Sequence, residues 1–323
     1  MEQYNRNLNS ETENAETMLQ TILTECDKRQ ENKCTQCTDC KFGEFCPHDC
    51  EKCLEYIHFP KRVPQGAPKR KYDCPYMADF YTCKYACKYA SEIIYAIRRD
   101  DELMTKEHLN VLSFGCGPCT DLFAIDYLKR KGEMQYKTIE YRGIDYSEDV
   151  WRFIHRDIKS FENESCKIKF YYADICKLMN QRYQLEWKPN LIVFHYVFSD
   201  MQKNTDQKRI NNFINRFAQY CQLLPSKTSI ILNDINLSNN KGGGRDYFDL
   251  LGEKLKFFTV RKGRFCNYNS TSFYCPRGYP YGEESDGEFS DNRILFNSSM
   301  WQKYSPFESC ASAQMLIKKE AGG

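Results

Sequence analysis

Asn110–Leu122 reads NVLSFGCGPCTDL, and this stretch decides the fold. Apolar residues run from Val111 to Phe114, followed by the turn Gly115-Cys116-Gly117-Pro118. A helical pattern then begins, from Asp121 to Leu128. A strand, a glycine turn and a helix start together make a ligand cradle. The glycines let the backbone approach a ligand, and the helix N-terminus offers free N–H groups. The same letters contain Cys116-Gly117-Pro118-Cys119, a CxxC dithiol with redox potential of its own. The rest of the chain has to choose between the two readings.

Working outward, strand and helix patterns alternate from Leu109 onward. Strands are expected at Asn110–Phe114, Thr138–Ile144, Lys167–Tyr172, Leu191–Phe198 and Ser229–Asn233, with helical stretches such as Asp206–Gln222 between them. That alternation implies a parallel sheet covered on both faces. Phe257–Arg261 and Gln314–Lys318 read as two further strands, separated by an irregular stretch near Cys266–Asn292. The second strand ends in Gly143-Ile144-Asp145, with an acid placed for ribose hydroxyls, and the third ends in Ala173-Asp174-Ile175, with an acid placed for an adenine amine. The fourth, Asn190-Leu191-Ile192-Val193-Phe194-His195-Tyr196, ends in polar and aromatic groups.

This succession resembles the class I S-adenosylmethionine-dependent methyltransferases over about Leu109 to Lys319. The resemblance implies an α/β, Rossmann-like seven-stranded sheet, mostly parallel with an antiparallel final strand, and methyl transfer from S-adenosylmethionine. It puts the cofactor against Gly115, Gly117, Asp145, Tyr146, Asp174 and Ile175. Cys119 departs from the family's third small turn residue, and Asn190 replaces the acid that often opens strand 4. The dithiol reading lacks support. A thioredoxin fold needs a cis-proline a few tens of residues downstream, whereas the next proline after Pro118 is Pro189. Cys116 and Cys119 are therefore read as turn residues. A dehydrogenase would also use a glycine turn and an acid, but would have no evident need of Asp174.

The 323 residues carry a net charge of +2, so no strong global field commits the chain to nucleic acid or to a membrane. The N-terminus is polar and acidic, and no apolar run approaches a membrane span, so an intracellular, cytoplasmic protein is expected. There are 18 cysteines, and they cluster. The organisation expected is a polar segment with a short helix (1–33), a Cys-rich metal module with a basic loop and a leading helix (34–100), and the methyltransferase domain (101–323). Cys34-x2-Cys37 and Cys50-x2-Cys53 have the spacing of paired zinc knuckles. Cys40, Cys46, Cys83 and Cys87 are expected to form a second site, since Cys83 and Cys87 share a helix face. Zinc would supply the module's folding energy, about 10–16 kcal/mol per site. The alternative is an iron–sulfur cluster, suggested by the ferredoxin-like Cys34-x2-Cys37-x2-Cys40 run and Cys46-Pro47.

Methyl transfer asks a protein to position a nucleophile, dry it and at times deprotonate it. The candidates for that work are His195, Tyr196 and Asp200 at the end of the fourth strand. The adenine-amine methylation signature, Asn or Asp followed by Pro-Pro-aromatic, is missing there; FHYVFSD stands in its place. Lys241-Gly242-Gly243-Gly244-Arg245 reads as a flexible basic turn with some capacity for phosphate. The basic loop Lys61–Lys71, together with the metal knuckles, favours RNA as acceptor. The alternatives are a protein or small-molecule methyltransferase, or a non-catalytic cofactor- and metal-binding scaffold.

Overall fold

Alternating burial along the strands builds the protein. The computed structural model describes residues 17–31, 40–179, 187–255, 258–265, 288–289, 293–307, 310 and 312–320. Strands β1 (His108–Phe114), β2 (Thr138–Asp145), β3 (Cys166–Tyr172), β4 (Leu191–His195), β5 (Ser229–Ile235), β6 (Phe258–Phe265), β7 (Glu288–Phe289) and β8 (Ser312–Lys319) form one sheet in the order β3-β2-β1-β4-β5-β8-β6-β7. Only β8 runs against its neighbours, antiparallel to both β5 and β6. The sheet is thus the expected one, with the final strand inserted between β5 and β6 and a two-residue strand added at the edge.

Because side chains alternate across a strand, Leu191 and Val193 face one core while Ile192 and Phe194 face the other. Ile230, Leu232, Met315 and Ile317 share the second face. Helices α5 (Thr120–Arg130) and α6 (Glu148–Lys159) cover the first face, α9 (Gln207–Gln222) and α10 (Asp246–Lys254) the second. β4 stops three residues earlier than its apolar run suggests. Tyr196 donates its N–H to Asn233 O (2.8 Å), then adopts a left-handed conformation (φ 60°) that starts α8 (Val197–Asn204).

Two N-terminal helices belong to the main core rather than to a separate module. These are α1 (Met18–Glu31), which buries Met18, Leu19, Ile22, Leu23 and Cys26, and the long α3 (Pro75–Ile97). Arg29 ties them to the sheet domain, pairing with Asp79 on α3 (2.8 Å) and with Asp157 on α6. No break in packing therefore falls at residue 100. The smaller cluster around Phe42, Cys46, Cys50, Cys53, Leu54, Ile57 and Cys74 includes α2 (Cys50–His58), whose first turn is capped by Asp49. No helix among the described residues is long and apolar enough to cross a membrane.

Candidate active site

The C-terminal ends of β1, β2 and β4 meet where the chain reverses. Gly115 (φ 60°) and Gly117 (φ 47°) take the left-handed backbone that only glycine adopts freely. A side chain on Gly115 would press to 2.7 Å from Val197 Cγ2. Gly117 N donates to Asp145 Oδ2 (2.9 Å), and Cys116 N donates to Ile144 O (3.0 Å), so the turn is laced to β2. Asp145 Oδ1 accepts from Tyr146 N (2.7 Å) and from the Trp151 indole (3.0 Å). Burial raises the Asp145 pKa; the Gly117 N–H and the nearby His155 pull it back. The Tyr146 ring is exposed beside this carboxylate, at 79%.

Asp174 stands at the end of β3 as expected, but its carboxylate is occupied. It caps α7 (Ile175–Leu178) and pairs with Arg209 on α9 at 2.6 Å. Ile175 opens that helix and packs half-buried on the second core.

The end of β4 shows what the sequence reading missed. Glu92, on α3, is fully buried. Its Oε2 accepts from the Tyr196 hydroxyl (2.9 Å) and from Asn233 Nδ2 (2.9 Å), and lies 3.7 Å from His195 Nε2. Lys88 sits one turn earlier, 3.8 Å from Glu92 and 3.3 Å from the Tyr196 hydroxyl. His195 Nδ1 shares a hydrogen with Thr120 Oγ1 (2.9 Å), while its Nε2 is buried with no hydrogen-bond partner. An orphaned ring nitrogen beside a buried carboxylate is an unusual expense unless a ligand uses it. The signal available in the sequence was a single acid in the apolar run of α3, ASEIIYAI.

Tyr81, Tyr85 and Tyr89 recur every fourth residue on α3 and lie over this edge. Tyr85 stacks on Tyr89 (5.4 Å), Tyr81 meets Trp151 (6.1 Å), and Tyr89 meets Tyr196 (4.2 Å) and His195 (5.2 Å). Asp200 is exposed at the mouth, yet the protein mass around its carboxyl, with Asp145 and Asp234 nearby, raises its pKa to about 6 against the opposing Lys203. The Lys241–Arg245 turn is no open phosphate loop. Gly244 packs so closely under α8 that a side chain would meet Ser199 N at 2.4 Å, and Arg245 is buried against Asn236.

The cysteines divide differently from the expected pairing. Burial pushes the Cys46 thiol up to about 12, with the neighbouring Cys40 and Cys53 adding to the rise. Cys50 and Cys74 share that cluster. Cys83 and Cys87 do not. They face the opposite side of α3, in the main core with Cys26, so the expected second site with Cys40 and Cys46 does not form. Cys34 and Cys37 lie outside the described residues. Among the described residues, three metal-ligand side chains converge only at Cys116, Cys119 and His155.

For S-adenosylmethionine the donor set fits: a left-handed glycine turn, a carboxylate anchoring it, and an unsatisfied ring nitrogen at the neighbouring strand end. No family model and no curated protein sequence matches the chain. Among solved structures, a Listeria monocytogenes protein assigned to the class I S-adenosylmethionine-dependent methyltransferases aligns over 94% of this chain and 88% of its own, at 10% identity and a TM-score of 0.43. Loganic acid methyltransferase with SAH aligns over 73% of this chain and 93% of its own, at 9% identity and a TM-score of 0.41. DesVI of Streptomyces venezuelae aligns over 46% of this chain and 50% of its own, at 17% identity and a TM-score of 0.29. The strand order, with one reversed strand inserted beside β5, gives this chain the Rossmann-like fold of the class I S-adenosylmethionine-dependent methyltransferases.

Proposed function

We propose that the chain is an S-adenosylmethionine-dependent methyltransferase that acts on RNA. The observation that carries the reading is the juxtaposition of the Asp145-pinned glycine turn with the unpartnered His195 Nε2 beside Glu92. When bound, S-adenosylmethionine supplies an electrophilic methyl group on a sulfonium. The chain's own residues do the rest. The Gly115–Cys119 turn and Asp145 hold the cofactor's polar edge. Thr120 fixes the His195 ring. With the ring proton on Nδ1, donated to Thr120, Nε2 presents a lone pair to the acceptor's proton, and the Glu92 carboxylate offsets the imidazolium that forms. Asp200, exposed near the end of β4, orients the acceptor.

RNA is favoured by the position of the basic loop. Lys69 Nζ donates to Lys203 O (2.7 Å), which lays the Lys61–Lys71 segment beside α8 at the mouth of the site. Zinc in the Cys-rich module, through Cys34, Cys37, Cys40, Cys46, Cys50 and Cys53, would stiffen the support of that loop. Labelled-methyl transfer to fractionated extract tests the function. Label should enter an RNase-sensitive fraction with wild type and fall by about 100-fold or more with His195→Ala. Label in protein or small molecules would replace RNA as acceptor. Cofactor binding without transfer to any fraction would leave a scaffold.

A further inference from the structure

Beneath the cofactor turn lies a second cluster of groups that the methyl-transfer reading does not use. Cys116 and Cys119 belong to the turn itself, and His155 comes from α6. All three are buried, and their ligand atoms lie within 4.8 Å of one another. Cys116 Sγ is 3.9 Å from His155 Nε2. Two ligands on one tetrahedral zinc, with bonds of about 2.3 Å to sulfur and about 2.0–2.1 Å to nitrogen, sit about 3.6 Å apart. The Cys116–His155 spacing is close to that value, and Cys119 lies within 4.8 Å of both.

The imidazole is held for this orientation. Its Nδ1 shares a hydrogen with the Tyr172 hydroxyl on β3 (2.9 Å), and Phe170 stacks on the ring at 3.9 Å. Nε2 is left facing the thiols and the Gly117 carbonyl oxygen, 2.7 Å away. In the metal-free protein Nε2 donates to that carbonyl; moving the ring proton to Nδ1, where the Tyr172 hydroxyl oxygen accepts it, gives the usual arrangement of a ligating histidine. Both cysteines are free thiols. Two thiolates and a neutral imidazole would neutralise a divalent ion, which is the condition for placing charge in a dry interior. Thiolate and imidazole donors together select zinc over the hard, oxygen-seeking cations.

We propose that Cys116, Cys119 and His155 bind a zinc ion that staples the cofactor turn to α6. This centre is distinct from the Cys-rich module. On binding, the two thiols release their protons to solvent, the ring proton of His155 moves from Nε2 to Nδ1, where the Tyr172 hydroxyl oxygen accepts it, and Nε2 exchanges the Gly117 carbonyl for the metal. The staple stands independently of the cofactor assignment, because its test needs no S-adenosylmethionine.

The test is titration of the reduced, metal-free full chain with Co²⁺, then displacement by Zn²⁺. Thiolate-to-cobalt absorption and total metal per chain are read together. Cys116→Ser/Cys119→Ser should bind one equivalent fewer than wild type and lose the absorption belonging to that equivalent. Tyr172→Phe keeps all three ligands and should weaken that one equivalent by about 10- to 100-fold while leaving the others unchanged. If circular dichroism shows the double variant unfolded, Tyr172→Phe decides alone. Equal stoichiometry in a folded double variant, or unchanged affinities in Tyr172→Phe, overturns the proposal. So does a Cys116–Cys119 disulfide in wild-type protein that carries its full complement of zinc.

Discussion

Replacing Glu92 by alanine probes the group that links the N-terminal helix to the end of β4. Three partners lose their acceptor or counter-charge at once: the Tyr196 hydroxyl (2.9 Å), Asn233 Nδ2 (2.9 Å) and the Lys88 ammonium (3.8 Å). Leaving one buried donor unsatisfied costs about 1–3 kcal/mol. Breaking a buried ion pair from one side costs about 3–5 kcal/mol. These terms share partners and do not add, so about 3–5 kcal/mol is expected for Glu92→Ala. At about 2–4 °C per kcal/mol, the midpoint should fall by roughly 6–20 °C. Glu92→Gln keeps an acceptor oxygen and should lose less than half as much. Calorimetric melting of the three proteins measures this, and methyl transfer by folded Glu92→Gln reports the loss of charge beside His195. A drop below about 1 kcal/mol for Glu92→Ala, outside the range for a buried pair, would refute the reasoning, because the network would then be held by other groups.

Asp145→Ala removes the acceptor for Gly117 N, Tyr146 N and the Trp151 indole; calorimetry should then detect no S-adenosylmethionine binding, and unchanged affinity would sink the cofactor assignment. The raised Asp200 pKa sets a pH dependence. The protonated form suits the fold, so its contribution is full below about pH 4 and is lost as pH rises through about 6. Asp200→Asn should therefore gain midpoint temperature over wild type at pH 8 and show no gain at pH 4. Cys119 is fully buried in a left-handed conformation (φ 62°). In metal-free protein, Cys119→Gly and Cys119→Ala both lose the thiol, but only glycine relieves the backbone, so the glycine variant should be more stable by about 1–2 kcal/mol in denaturant unfolding.

Much of this was legible because the strands announce themselves. The runs around Val111, Ile139, Ile192 and Ile230 are apolar, β-branched and bounded by turn residues, so the strands they form were plain from the letters. The antiparallel strand near Gln314–Lys318 was legible as a strand, but its insertion beside β5 is a matter of pairing, which no local pattern carries. The cysteines show the limit most clearly. Spacing put Cys83 and Cys87 on one helix face, correctly, but could not say which core that face would meet. His155 stands 39 residues from Cys116, and only the fold makes them neighbours. Asp174 was found by its place at a strand end, whereas its pairing with Arg209 depends on how α9 lies against α7.

The tyrosines of α3 have an optical consequence. Light absorbed by Tyr89 or Tyr85 can pass ring to ring, over separations of 5.4 Å and 4.8 Å, to Tyr81 and then across 6.1 Å to Trp151. That indole is the one hydrogen-bonded to Asp145, at the anchor of the glycine turn. Excited tyrosine in this helix should therefore emit as tryptophan. The yield of that transferred light registers how far the N-terminal helix stands from the cofactor turn, a built-in ruler for any movement that opens the site.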